Sequence, residues 1–293
     1  MSQDSILKVD NLVMHFGGIK ALNDIDFEIK RGSVSALIGP NGAGKTTVFN
    51  CLTGFYKATG GSIMLNAGGK TTSVIQVLGE PFQGSDFINP IAFVKRLKYK
   101  MFGGSHLVNR AGLSRTFQNI RLFKEMSVVE NLLVAQHMRV NRSLIAGIFN
   151  TKAFKESEEE ALERAFYWLG VVDLKDFANR LAGELSYGQQ RRLEIARAMC
   201  TNPEIVCLDE PAAGLNPSET EALTKMIRVL RDEHNTTVLL IEHDMGMVMN
   251  ISDYIVVLDH GEVIAKGGPD DIKSNPKVIA AYLGAEEGEE VTL

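Results

Sequence analysis

From the N-terminus to about residue 65 the chain alternates apolar with polar positions, the period of a half-buried strand. Ile25, Phe27 and Ile29 interleave with Asp26, Glu28 and Lys30, and Leu12, Met14 and Phe16 follow the same rhythm. Arg31-Gly32 then turns the chain into Val34-Ser-Ala-Leu-Ile38, a short apolar run of strand character. Thr47-Val-Phe-Asn-Cys-Leu52 continues without a helix breaker and reads as the start of a helix. From Ser157 the period changes. Glu158, Glu159 and Glu160 crowd a first helical turn, after which Ala161/Leu162, Ala165/Phe166 and Leu169 recur at helical spacing until Gly170. Two apolar strands follow this helix-rich middle, Ile205-Val-Cys-Leu208 and Thr237-Val-Leu-Leu-Ile241, each running into charged residues. The pattern predicts an α/β chain. Glu286, Glu287, Glu289 and Glu290 form a short acidic tail over 285–293, read as disordered.

Composition narrows the class. With 293 residues, 45% of them hydrophobic, the chain can bury a sizeable core in one large α/β domain or two small ones. The balance of 31 basic to 36 acidic residues leaves a formal charge of −5, which argues against nucleic acid as the main partner. No apolar run reaches the ~18 residues of a membrane span, and Met1-Ser-Gln-Asp lacks the regions of a signal peptide. The expectation is a chain that neither spans a membrane nor is secreted by that route. Cys51, Cys200 and Cys207 have no metal-like spacing and read as reduced, packing thiols.

Between the apolar run ending at Ile38 and the helical run beginning at Thr47 stands Gly39-Pro40-Asn41-Gly42-Ala43-Gly44-Lys45-Thr46. Two glycines, a lysine and a hydroxyl residue at this spacing fit the phosphate-loop pattern, in the strand-loop-helix context that it requires. Backbone N–H groups of such a loop turn inward around phosphates, and the helix N-terminus adds partial positive charge. Lys45 is expected to reach the β and γ phosphates of a nucleoside triphosphate, with Thr46 ligating Mg2+ and Thr47 beside it. A second element, Ile205-Val-Cys-Leu-Asp209-Glu210-Pro211, ends an apolar strand in two carboxylates. Asp209 is expected to hold Mg2+, and Glu210 to polarise the water attacking the γ-phosphorus.

The third element is Leu185-Ser186-Tyr187-Gly188-Gln189, followed by the helical run Gln-Arg-Arg-Leu-Glu-Ile-Ala-Arg-Ala. With these three elements together the chain resembles the ATP-binding subunit of an ATP-binding-cassette transporter. The resemblance implies an α/β P-loop NTPase of ATP-binding-cassette type, with a RecA-like core, an N-terminal antiparallel β subdomain and a helical subdomain over about 119–196, all in one domain spanning 1–293. It implies ATP and Mg2+ as ligands. Ser186, Gly188 and Gln189 would meet the γ-phosphate of ATP held by a second ATPase subunit, so that catalysis needs two subunits. Gln118, in Arg115-Thr-Phe-Gln-Asn119, resembles the glutamine that touches Mg2+ or the attacking water. His243, in Ile241-Glu-His-Asp244, resembles the switch histidine on the γ-phosphate. Phe16 has two readings, an aromatic stacked on adenine or a core residue of an alternating strand. Ala213-Gly-Leu-Asn216-Pro217 resembles the loop exchanged across the dimer, with Asn216 where many members have Asp.

Thr47-Val-Phe-Asn-Cys-Leu-Thr-Gly-Phe-Tyr56, Arg115-Thr-Phe-Gln-Asn-Ile-Arg-Leu-Phe123, Tyr187 in place of the usual glycine, and Ala281-Tyr-Leu-Gly284 narrow the resemblance to the ATPase of branched-chain amino-acid importers. Its partners would be a second ABC ATPase of different sequence, two transmembrane permease subunits and, indirectly, a periplasmic solute-binding protein. Its place would be peripheral, on the cytoplasmic face of the cytoplasmic membrane. A lipopolysaccharide-export ATPase and urea or short-amide importers are the alternatives within the family; Tyr187 and Asn216 favour the branched-chain importer over the lipopolysaccharide exporter. A non-transport member acting on nucleic acid is the contrary class, and one cassette, no sustained heptads and a net negative charge count against it.

The resemblance leaves an insertion at about 66–106. It contains Ile91-Ala-Phe-Val-Lys-Arg-Leu-Lys-Tyr-Lys-Met-Phe102, a helical run with Ile91, Val94, Leu97 and Met101 on one face and only Lys95, Arg96, Lys98 and Lys100 as charges. Packing on its own domain is the favoured reading, and contact with a membrane or an acidic partner the other.

Overall fold

Strand alternation becomes a four-stranded antiparallel sheet in the computed structural model, which describes residues 4–79, 90–137 and 151–289. Strands β1 (Ser5–Phe16) and β2 (Ile19–Lys30) pair with Val9 opposite Phe27 and Leu12 opposite Ile25, so the apolar sets share one face. β4 (Gly60–Ala67) adds to β1 and β5 (Lys70–Ser73) to β4, giving the order β2-β1-β4-β5.

The apolar runs form a second sheet. β3 (Val34–Ile38), β7 (Ile205–Asp209) and β8 (Thr237–Ile241) are buried at every position, as expected for parallel strands covered on both faces. With β6 (Leu113–Arg115), β9 (Tyr254–Asp259) and β10 (Glu262–Gly267) the order is β10-β9-β3-β8-β7-β6, parallel except for the β9–β10 hairpin. One core joins Leu7, Leu12 and Phe27 of the first sheet, Phe49 and Leu52 of helix α1 (Lys45–Leu52), and Cys207, Leu239 and Leu258 of the second. Burial in this core pushes the Cys51 and Cys207 thiols up to about 12, which keeps them protonated.

The chain divides into two compact units. The first takes residues 1–115, 204–210 and 228–293 and holds both sheets; the second takes 116–203 and 211–227. In the second unit α5 (Val128–Ala135), α6 (Lys152–Val171) and α7 (Tyr187–Met199) pack on one another around Leu132, Ala165, Leu169 and Leu193. Helix α8 (Pro217–Asp232) starts in the second unit and ends in the first.

Three expectations are corrected. Helix α6 starts before the acidic cluster, because Thr151 caps it by accepting the Phe154 amide; the three glutamates lie further inside. The tail is helical as far as Glu289, within α9 (Pro276–Glu289), where Ala280, Ala281 and Ala285 favour helix; residues 290–293 lie outside the described ones. In the insertion, α2 (Val74–Val77), α3 (Pro90–Phe102) and α4 (Ser105–Arg110) follow β5. Val94, Leu97 and Met101 of α3 face solvent, and among the described side chains of this helix Tyr99 packs against the core. The side chains of Ile91 and Lys95 lie outside the described ones.

Candidate functional site

The loop at the end of β3 is built by close approach. Gly39 has φ 149°, and a Cβ there would lie 2.1 Å from the Leu258 carbonyl oxygen, so only glycine fits between β3 and β9. Gly44 stands at the N-cap of α1 with φ 98° and offers no side chain to the first-turn amides, and that turn holds no acidic residue. Those N–H groups are therefore not capped from within the helix, which suits an anion. Lys45 is buried and folds back, its Nζ donating to the carbonyls of Gly39 at 2.7 Å and Pro40 at 2.9 Å. Burial lowers the Lys45 pKa, and the Glu210 carboxylate works against that shift. Asn41, Gly42 and Thr46 are exposed around it, Ala43 is buried, and Thr47 is half-buried.

Strand β7 brings the two carboxylates to the same edge. Asp209 is 4% exposed and pairs with Arg115, Nη2 to Oδ2 at 2.5 Å. Glu210 leaves the strand in the left-handed region, φ 47°, with its amide donating to the Ile241 carbonyl at 3.0 Å. Such a backbone costs about 1–3 kcal/mol and persists where neighbours over-determine it. The turn aims Glu210 at His243: Oε1 and Nε2 are 3.0 Å apart. The structure thus brings Glu210 and His243 together, although they stand on successive sheet neighbours, after β7 and after β8. Phe16, at the end of β1, is 43% exposed and edge-on to Tyr56 with ring centres 5.3 Å apart, which removes the core reading.

In the second unit Ser186 is the N-cap of α7. Its hydroxyl accepts the Gln189 amide at 3.3 Å, while Gln189 Oε1 accepts the Ser186 amide at 3.0 Å. Gly188 is buried against Glu219; a Cβ would lie 2.6 Å from that carboxylate. Asn216 accepts the Glu219 amide and Glu219 accepts the Asn216 amide, both at 3.0 Å, so Asn fills this position as a reciprocal cap. Gln118 is exposed, and its carbonyl and that of Phe117 accept from the two terminal nitrogens of Arg191, each at 2.8 Å. Arg191 is fully buried, bonds Glu194 at 3.1 Å and meets the Tyr187 hydroxyl at 3.2 Å. Sequence reasoning missed Arg115, Arg191 and Glu194. For the last two a signal exists, since Arg and Glu stand at i,i+3 in a helical run.

These residues fit the expected ligands. Among the described residues no three of His, Cys, Asp and Glu cluster as a metal site. A hydroxyl, Thr46, and a carboxylate, Asp209, suit a cation that takes its other ligands from phosphate oxygens and water.

A strand, glycine loop and uncapped helix, with two acids ending another strand of the same parallel sheet, define a P-loop nucleotide-binding ATPase. The chain belongs to the ABC transporter family, whose model matches residues 22–213. A second model, described as Branched-chain amino acid ATP-binding cassette transporter, matches 262–288. The high-affinity branched-chain amino acid transport ATP-binding protein BraF of Pseudomonas aeruginosa is 54% identical, over 95% of this chain and 98% of its own. LivG of Escherichia coli K12, whose name carries the same description, is 50% identical over 97% and 99%. Among solved structures, the ADP conformation of an ATP-binding cassette of an ABC transporter superposes with TM-score 0.72 at 32% identity, covering 96% of this chain and 99% of that one.

Proposed function

We propose that the chain is the ATP-hydrolysing subunit of an importer for branched-chain amino acids, working on the cytoplasmic face of the cytoplasmic membrane. The observation that carries the proposal is the 54% identity to BraF, which runs through 279 residues. The match at 262–288, beyond the nucleotide motifs, adds support. In this reading the phosphate loop from Gly39 to Thr47 grips ATP, and Phe16 stacks on its adenine. Thr46, Asp209 and Gln118 would hold Mg2+, which neutralises charge on the β and γ phosphates. Glu210 takes the proton of the attacking water, and His243, already 3.0 Å from Glu210, orients that carboxylate and meets the γ-phosphate. Ser186, Gly188 and Gln189 complete the site of a second ATPase subunit. Two permease subunits carry the solute, which a periplasmic binding protein delivers.

No helix among the described residues is long and apolar enough to cross a membrane. Purification from native membranes with intact partners tests the proposal. The co-purified solute-binding protein should bind leucine, isoleucine or valine; a urea-binding protein, or lipopolysaccharide-export components, would replace the assignment.

A further inference from the structure

We infer that Arg115 is a positioning residue that sets Asp209 relative to Thr46, and so tunes how a divalent cation is held beside bound nucleotide. The inference rests on reading Asp209 as the metal-holding carboxylate. Arg115 ends β6 and lies opposite Cys207 in the parallel pairing with β7, two residues before Asp209. Its Nη2 donates to Asp209 Oδ2 at 2.5 Å. Its Nη1 donates to Asn50 Oδ1 at 2.6 Å and to Thr53 Oγ1 at 3.1 Å. Asn50 belongs to α1 and Thr53 is its C-cap, and α1 starts with Lys45 and Thr46. One planar guanidinium therefore ties the end of β7 to the helix that carries Thr46, another expected protein ligand of the metal.

The fork itself is fixed. Its carbon lies 5.8 Å from the centre of the Phe49 ring and 5.4 Å from that of Phe55. Thr53 Oγ1 donates in turn to the Phe49 carbonyl at 2.6 Å. The side chains of Arg115 and Asp209 are only 7% and 5% exposed, so the pair is shielded from screening by salt. A cation needed only to neutralise a buried acid could be a lysine. A lysine, with a point charge at the end of a flexible stem, does not reproduce a planar contact to acceptors on two elements. By taking Oδ2, Arg115 fixes the orientation of the Asp209 carboxylate. The arrangement is that of an outer-shell partner which orients a metal-binding carboxylate.

The test uses the full chain and a fluorescent ATP analogue, with affinity measured in EDTA and in Mg2+; the ratio reports how strongly the cation is linked to nucleotide. Arg115→Lys and Arg115→Gln should keep the EDTA affinity and lose about ten-fold or more of the Mg2+ enhancement. Asp209→Asn should lose it as well, and Arg115→Gln in the Asp209→Asn background should lose nothing further. That double variant removes both buried charges, so it guards against a result that reflects misfolding, as does a melting curve for each protein. Full Mg2+ enhancement in both Arg115 variants, with loss in Asp209→Asn, would overturn the inference alone. Full enhancement in Asp209→Asn would overturn the reading of Asp209 and the inference with it.

Discussion

Glu210 and Lys45 divide the work of one site, and their surroundings predict different failures. Glu210 reaches His243 from a left-handed backbone at the strand end, whereas Lys45 is buried within the loop it closes. Glu210→Gln should leave nucleotide affinity in place and lower turnover by about 10²–10⁴, the contribution of a positioned base. Lys45→Ala should weaken binding itself. Equilibrium binding and phosphate release on the assembled complex separate the two outcomes, and unmutated turnover in Glu210→Gln would remove its role as base. At this scale the sequence was informative wherever a residue type is tied to a spacing, as in the glycine loop and the acid pair after β7. Arg115 was opaque because its partners Asn50, Thr53 and Asp209 are 65, 62 and 94 residues away, and no local period links them. The exposure of Phe16 was equally hidden, since alternation specifies a face and not what covers it.

Helix α7 joins two roles that its sequence shows only in part. Its first turn carries the Ser186–Gln189 capping box, and its second carries Arg191, which holds the Phe117 and Gln118 carbonyls. Glu194 accepts the Arg121 amide at 3.3 Å, adding a third tie to the segment after Gln118. Burial pushes the Glu194 carboxyl up, and Arg191 opposes the shift. Ser186→Ala should cost about 1 kcal/mol, as loss of a helix cap does. Arg191→Met should cost about 3–5 kcal/mol, because it leaves a buried carboxylate without its main cation and removes the bonds that Arg191 donates to the Phe117 and Gln118 carbonyls. Denaturation followed by hydrogen exchange within 116–203 checks both; a cost of Arg191→Met no larger than that of Ser186→Ala would contradict the buried network. Helix existence was legible from period, but its ends were set by caps. Thr151 begins α6, while the glutamates that suggested a later start are inside the helix. Helix α3 shows the reverse limit: its apolar stripe was legible, yet Val94, Leu97 and Met101 face solvent, and among its described side chains Tyr99, off that stripe, packs against the core.

For the whole molecule, the division into units follows contacts that no run of sequence announces. Residues 211–227 return to the second unit between two stretches of the first, 204–210 and 228–293, so that Glu210 and Asn216 belong to different units although only five residues lie between them in the chain. The alternating and fully apolar strands were legible, whereas their order in the sheet was not, since β3 lies between β8 and β9. Each chain carries one phosphate loop and one Ser186–Gly188 turn, which in the proposed assembly serve different sites. The isolated protein should therefore hydrolyse ATP slowly, with activity per subunit rising with concentration and on adding its partner subunits. Sedimentation combined with phosphate release checks this, and full activity in a dilute monomer would contradict it.

The central claim is that ATP hydrolysis by this chain drives uptake of branched-chain amino acids. Vesicles reconstituted with the chain, its permeases and its partner ATPase, with the solute-binding protein supplied on the periplasmic side, allow labelled leucine uptake to be measured directly. Uptake should require ATP on the side of this chain, disappear with Glu210→Gln, and be outcompeted by isoleucine and valine. Leucine uptake that persists at the unmutated rate with Glu210→Gln, or ATP-driven transport of another solute with none of leucine, would contradict the account.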